Sequence, residues 1–187
     1  MGLPDTQNSK ETVRVWDPFI RIFHWCLAVG MLAAWITSSW RSTPHQWIGL
    51  ALGCLLIARI FWGFFGSTYA RFSQFLRGPQ TSLAYLYAIV TGAERRYLGH
   101  NPAGALMILA LIFTIAATVI SGWLMTTDTF FGDDTMQFVH KASAYSVVGL
   151  LIFHVAGVML ASKQHKENLV VAMFTGKKRA PTPNDIA

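Results

Sequence analysis

Four long apolar runs leave this chain few ways to fold. They cover about residues 18–40, 44–66, 102–127 and 135–162. Each reaches the roughly 20 apolar residues that a helix needs to cross a bilayer. Charged residues make up only 13% of the chain, about half of what a soluble domain carries. The predicted architecture is therefore all-α: an integral membrane four-helix bundle in one domain, residues 13–175.

The helix starts can be read locally. Asp17-Pro18, Thr43-Pro44 and Asn101-Pro102 each place a capping side chain before a proline. The side chain accepts an orphan backbone N–H, and a proline at the first helical position lacks only a donor that would go unused. Asp134 is the candidate cap of the fourth span. The first run does not read as a signal peptide: its leading residues are acidic as well as basic, and no small-residue cleavage site follows. Between the second and third spans, Thr81 to Thr91 is apolar but too short to cross. It is expected to form a short interfacial helix, with Trp-, Tyr- and Arg-rich flanks at headgroup level. Residues 1–12 and 176–187 are polar and are expected to be disordered tails.

Charge placement predicts orientation. With the N-terminus inside, Lys10, Arg14, Arg21, Arg71, Arg77, Arg95, Arg96, Lys163, Lys166, Lys177, Lys178 and Arg179 all fall inside. Only Arg41 and Lys141 fall outside, and Arg59 lies within the second span. That asymmetry follows the positive-inside rule and puts both termini in the cytoplasm of an inner-membrane protein. The net charge of +6 thus records topology and does not point to nucleic acid. The two cysteines, Cys26 and Cys54, lie in apolar runs and form no CxxC or CxxCH. Thiol-held zinc, thiol-held iron–sulfur clusters and covalent haem c are excluded, and both cysteines are expected to be buried apolar residues.

Histidine is left to carry the chemistry, because an ionisable group inside a span is costly and functional by default. His140 and His154 are 14 residues apart on the fourth helix. That is roughly 21 Å along the axis with an angular offset of about 40°, so both face one side. His24 enters early in the first helix, which starts inside, and shares the inner level with His154. His45 opens the second helix, which starts outside, and shares the outer level with His140. A lone zinc or copper ion would need three or four convergent ligands, and no Cys, Asp or Glu stands at either level. A haem iron needs only two axial ligands. Two haems are therefore expected, on His24 with His154 and on His45 with His140.

Haem propionates are anionic. Arg21 and Arg59 are candidates to neutralise them at the inner level, and Arg41 and Lys141 at the outer level; snorkelling to lipid phosphate is the alternative. Gly30, Gly49, Gly53, Gly122, Gly149 and Gly157 could admit a flat ring or serve ordinary helix packing. His100, just before the Asn101-Pro102 cap, is a candidate to bind a quinone oxygen or relay a proton, against a structural role. His165 reads as a surface residue.

With these residues in view, the chain resembles the bacterial cytochrome b561 family, related to the cytochrome b subunit of nickel–iron hydrogenases. The matching segments are VRVWDPFIRIFHW (13–25), ARIFWGFFGSTYARFSQF (58–75), LGHNPAGALM (98–107) and HKASAYSVVGLLIFH (140–154). The resemblance covers about residues 13–175. It implies a four-helix bundle with two non-covalent haems b, moving electrons between the quinone pool and a redox partner such as a cytochrome c or an oxidoreductase subunit. The hydrogenase subunits typically carry a further helix, so the smaller cytochrome b561 type is favoured.

The function expected is electron transfer across the membrane, with Asp128, Asp133 and Asp134 placed to steer a basic cytochrome c. Two rival readings stand beside it. One is an oxidase of superoxide or another small reductant that reduces quinone, drawn by Arg41 and Lys141. The other is a His-dependent proton or metal transporter. No span is broken and none holds a carboxylate, which counts against a transporter.

Overall fold

A computed structural model describes residues 11–38 and 43–186. The element order is β1 (Thr12–Arg14), α1 (Pro18–Thr37), α2 (Thr43–Phe65), α3 (Phe72–Phe75), α4 (Pro79–Thr91), α5 (Pro102–Leu124), α6 (Asp134–Gln164), α7 (Leu169–Thr175) and β2 (Lys177–Arg179), with a 3-10 turn at Thr68–Ala70. Helices α1, α2, α5 and α6 are long and apolar enough to cross a membrane. They agree with the four expected spans to within a few residues. α4 forms where a short helix was expected between the second and third spans, begun two residues early by Pro79 and stopped by the left-handed Gly92.

Caps fix the starts. The Asp17 side chain accepts from Ile20 N–H at 3.0 Å, and Asn101 from Gly104 N–H at 2.7 Å. On α6 the cap is Asp133, which accepts from Met136 N–H at 2.7 Å; Asp134 is the first helical residue. Either acid could cap, and the loop geometry selects the earlier one. Thr43 is likewise already helical, so its cap position lies outside the described residues.

α2 packs on both α1 and α5, and α5 on α6. Leu56, Ile115 and Val147 form the buried centre where α2, α5 and α6 meet. Elsewhere the spans turn apolar side chains outward: Val29 is 65% exposed, Ile57 70%, Phe113 71% and Phe153 70%. A soluble bundle would bury these, whereas lipid solvates them. Cys26 and Cys54 share this outward surface. The expectation that they are buried is corrected here, because apolar residues in a membrane helix need not face protein.

The expectation of a disordered C-terminal tail is also corrected. β1 and β2 pair antiparallel, Thr12 with Arg179 and Arg14 with Lys177. Ile186 then accepts from Leu98 N–H and donates to Arg96 O, both at 2.8 Å. Of the expected N-terminal tail, residues 1–10 lie outside the described residues. The polar composition suggested solvated ends, but the charges compensate each other in place. Arg96 binds Glu167 at 2.9 Å and Asp185 at 2.6 Å, with all three side chains buried. Lys178 Nζ donates to Leu98 O at 2.9 Å. This strap closes one end of the bundle, called the inner end below, over an apolar cluster of Val15, Trp16, Ile20, Ala70, Leu98 and Ala172.

Candidate functional site

The fold brings four histidines into two pairs. At the inner level His24 on α1 faces His154 on α6, with ring centroids 6.3 Å apart. At the outer level His45 on α2 faces His140 on α6, with centroids 6.2 Å apart. A metal bonded to two imidazole nitrogens at about 2 Å each, with each centroid about 1 Å beyond its nitrogen, would separate the rings by about 6 Å. Among the described residues no three His, Cys, Asp or Glu side chains gather as a metal site. The donor set is thus two imidazoles per level, which fits a metal whose other ligands travel with it in a porphyrin.

The outer imidazoles are held by the backbone. His45 Nδ1 lies 3.0 Å from Ala34 O and 3.4 Å from Thr37 Oγ1. His140 Nδ1 lies 2.9 Å from Thr118 O and 3.4 Å from Ser121 Oγ. A carbonyl can only accept, so Nδ1 carries the proton in each ring and Nε2 keeps its lone pair for a metal. Gly122 is what permits this on α5: a Cβ there would sit 2.9 Å from His140 Cε1. The other glycines divide. Gly30 and Gly53 are closed by Leu52 and Val119 of the neighbouring helices, as in ordinary packing, while Gly49, Gly149 and Gly157 face open space. At the inner level His24 Nδ1 is buried with no hydrogen-bond partner among the described residues, and the His24 and Trp25 rings meet nearly at right angles.

The cations expected near propionates differ in their surroundings. Arg59 is only 4% exposed. Its Nη2 donates to Ala70 O at 3.2 Å, its guanidinium covers the Phe72 ring, and Nη1 has no partner. Among the described residues it makes no salt bridge. Arg21 donates to Phe174 O at the end of α7, leaving its Nε unpartnered. Lys141 is exposed beside His140. Arg41 lies outside the described residues. His100 is held between Trp16 and Phe75, with centroids at 4.6 and 4.8 Å, and its Nδ1 has no partner among the described residues. Burial, reinforced by Arg59 and Lys178, pushes this imidazole down to about 3, so it is neutral at physiological pH.

Sequence reasoning found both histidine pairs but not their supports. Gly122 was a candidate for a flat cofactor, yet the flat group beside it is the His140 ring. Thr118 and Ala34 act through backbone carbonyls and leave no side-chain signal. Ser121 stands 19 residues before His140, so only the folded helix pair reveals it.

Four membrane-crossing helices with facing histidines at two depths define a class, the helical-bundle b-type cytochromes of prokaryotic membranes. Residues 15–176 match the family model for prokaryotic cytochrome b561, and the chain belongs to that family. A curated relative, a probable Ni/Fe-hydrogenase B-type cytochrome subunit of Bradyrhizobium diazoefficiens, is 18% identical over an alignment of 217 positions. The alignment takes in 91% of this chain and 87% of the relative. No solved structure matches the chain significantly. Family membership implies haem b binding and electron transfer.

Proposed function

We propose that the chain carries two haems b and conducts electrons across the bacterial inner membrane, between the quinone pool and a redox partner at the outer face. The partner is a cytochrome c or an oxidoreductase subunit, and a hydrogenase is one such case given the relative's name. The observation that carries this reading is the pair of imidazole couples at 6.3 and 6.2 Å, at two depths of one bundle. His24 and His154 would hold the inner haem, His45 and His140 the outer. Bound haem supplies a reversible one-electron change within an apolar core that would otherwise bar electrons.

The chain's own residues set the conditions. α6 presents His140 and His154 about 21 Å apart along one face, which fixes the spacing of the two centres. Arg59 is a buried cation with no salt bridge among the described residues, a costly state inside a bilayer; its Nη1 is assigned to an inner propionate. Arg21 offers Nε at the same level. Lys141, with Arg41, is assigned to the outer propionates. His100, neutral and with Nδ1 unengaged, is assigned to a quinone oxygen at the inner end. Asp128 and Asp133, with Asp134, give the outer loop a negative face for a basic partner.

Haem quantitation on purified variants tests the pairing. His24→Ala and His154→Ala should each lose one haem and leave the same residual spectrum. His45→Ala and His140→Ala should share the complementary one. Different residual spectra within a pair would overturn the assignment. A wild-type preparation without reduced-minus-oxidised haem bands would return the histidines to the transporter reading.

A further inference from the structure

We propose that the outer imidazole pair is the more electron-donating one, so that the centre on His45 and His140 has the lower reduction potential and the centre on His24 and His154 the higher. The inference rests on haem ligation by these pairs. An imidazole that donates its Nδ1–H to a good acceptor becomes more basic at Nε2. A more basic axial ligand favours the ferric state and lowers the potential, a control the protein exerts through hydrogen bonding.

Both outer rings have such an acceptor, at 3.0 and 2.9 Å. Ala34 lies in the last turn of α1, where carbonyls have no helical N–H to serve, so its oxygen accepts from His45 and, at 3.3 Å, from Thr37 Oγ1. Thr118 lies mid-helix, and His140 reaches its oxygen only because residue 122 has no side chain. A Cβ at Gly122 would lie 2.9 Å from Cε1 and 3.1 Å from Nδ1 of that ring. Gly122 is therefore a positioning residue for the outer centre. At the inner level His24 Nδ1 has no acceptor among the described residues. Arg59, buried at that end and in no salt bridge among the described residues, would offset the charge of an inner propionate and so favour the reduced inner centre. Lys141 acts oppositely on the outer centre, but it is exposed and solvent screens it.

Redox potentiometry on the haem-loaded full chain tests this, read by visible absorbance and by infrared difference spectra of isotope-labelled histidine. Two components are expected, separated by at least a tenfold difference in electron occupancy, about 59 mV for one electron. The imidazole bands of strongly hydrogen-bonded Nδ1–H should titrate with the lower component. Gly122→Ala, which crowds His140 off Thr118 O, should raise the lower component and leave the upper one in place. An unsplit titration, strongly bonded histidine bands on the upper component, or an upper component that moves in Gly122→Ala would each overturn the proposal. The infrared measurement needs no variant and decides the matter if Gly122→Ala does not fold. A chain that binds no haem removes the proposed function itself, whereas two haems in the reverse order remove this inference alone.

Discussion

The carboxylate of Asp17 holds three pieces of chain at the start of the first span. One oxygen caps α1; the other accepts from Trp62 Nε1 at 3.2 Å and from Ser67 Oγ. It therefore ties the start of α1 to the end of α2 and to the turn that follows. Burial alone would raise its pKa, but the donors from Ser67, Ile20 and Trp62 prevail and hold the carboxyl below its usual range. A lowered carboxylate pKa means stability present above the unfolded value and lost as pH falls through the folded one. Asp17→Ala should cost about 1–2 kcal/mol from the cap and its hydrogen bonds, seen as a lower melting temperature in detergent. Wild type should lose that advantage below roughly pH 4. The capping role was legible because a cap and its helix are neighbours in sequence. The ties to Trp62 and Ser67 were not, since they span 45 and 50 positions.

Among the elements, the strap formed by β2 and the residues after it depends on buried ions. Arg96 holds Glu167 and Asp185 from 71 and 89 positions away. Burial works against both acids, yet hydrogen bonds outweigh it, chiefly from Arg96 for Glu167 and from Thr182 and Arg96 for Asp185, and lower both pKa values. The strap should therefore loosen in acid, as these carboxylates protonate. Lys178 behaves oppositely: burial, opposed by Glu167, pushes it down to about 8. The unfolded segment then holds more protons between about 8 and the ordinary lysine value, so the strap gains stability as pH climbs through that window. Arg96→Ala leaves buried Asp185 without its cation and Glu167 with only Lys178 at 3.7 Å, a loss of about 3–5 kcal/mol for a broken buried pair. Trypsin should then cut after Lys177 or Arg179 well before it enters the spans. Equal resistance in Arg96→Ala and wild type would contradict this. Composition read this segment as a tail because ionic compensation across the whole chain leaves no local pattern.

For the whole molecule, span number, helix starts and both histidine pairs were legible, because helical rise and turn convert sequence spacing directly into depth and facing. Side-chain exposure was not, as Cys26 and Cys54 demonstrate: lipid removes the hydrophobic drive that sends apolar groups inward. The exposed faces of α1, α2, α5 and α6 should hold the chain in detergent or bilayer. Reporter fusions at either end should be active only as cytoplasmic reporters, following the cation distribution. A periplasmic reporter active at the C-terminus would reverse the inner and outer labels. The histidine pairs would keep their partners.

The small β1–β2 sheet bears on how the molecule is built. β1 precedes all four spans and β2 follows them, so their pairing must wait until every span has been synthesised. Chains emerge from the ribosome in order, N-terminal segments first. The inner end is thus the last part of the bundle to be sealed. During synthesis the end of the bundle nearest His24 and His154 stays unsealed by the strap after the helices themselves have met.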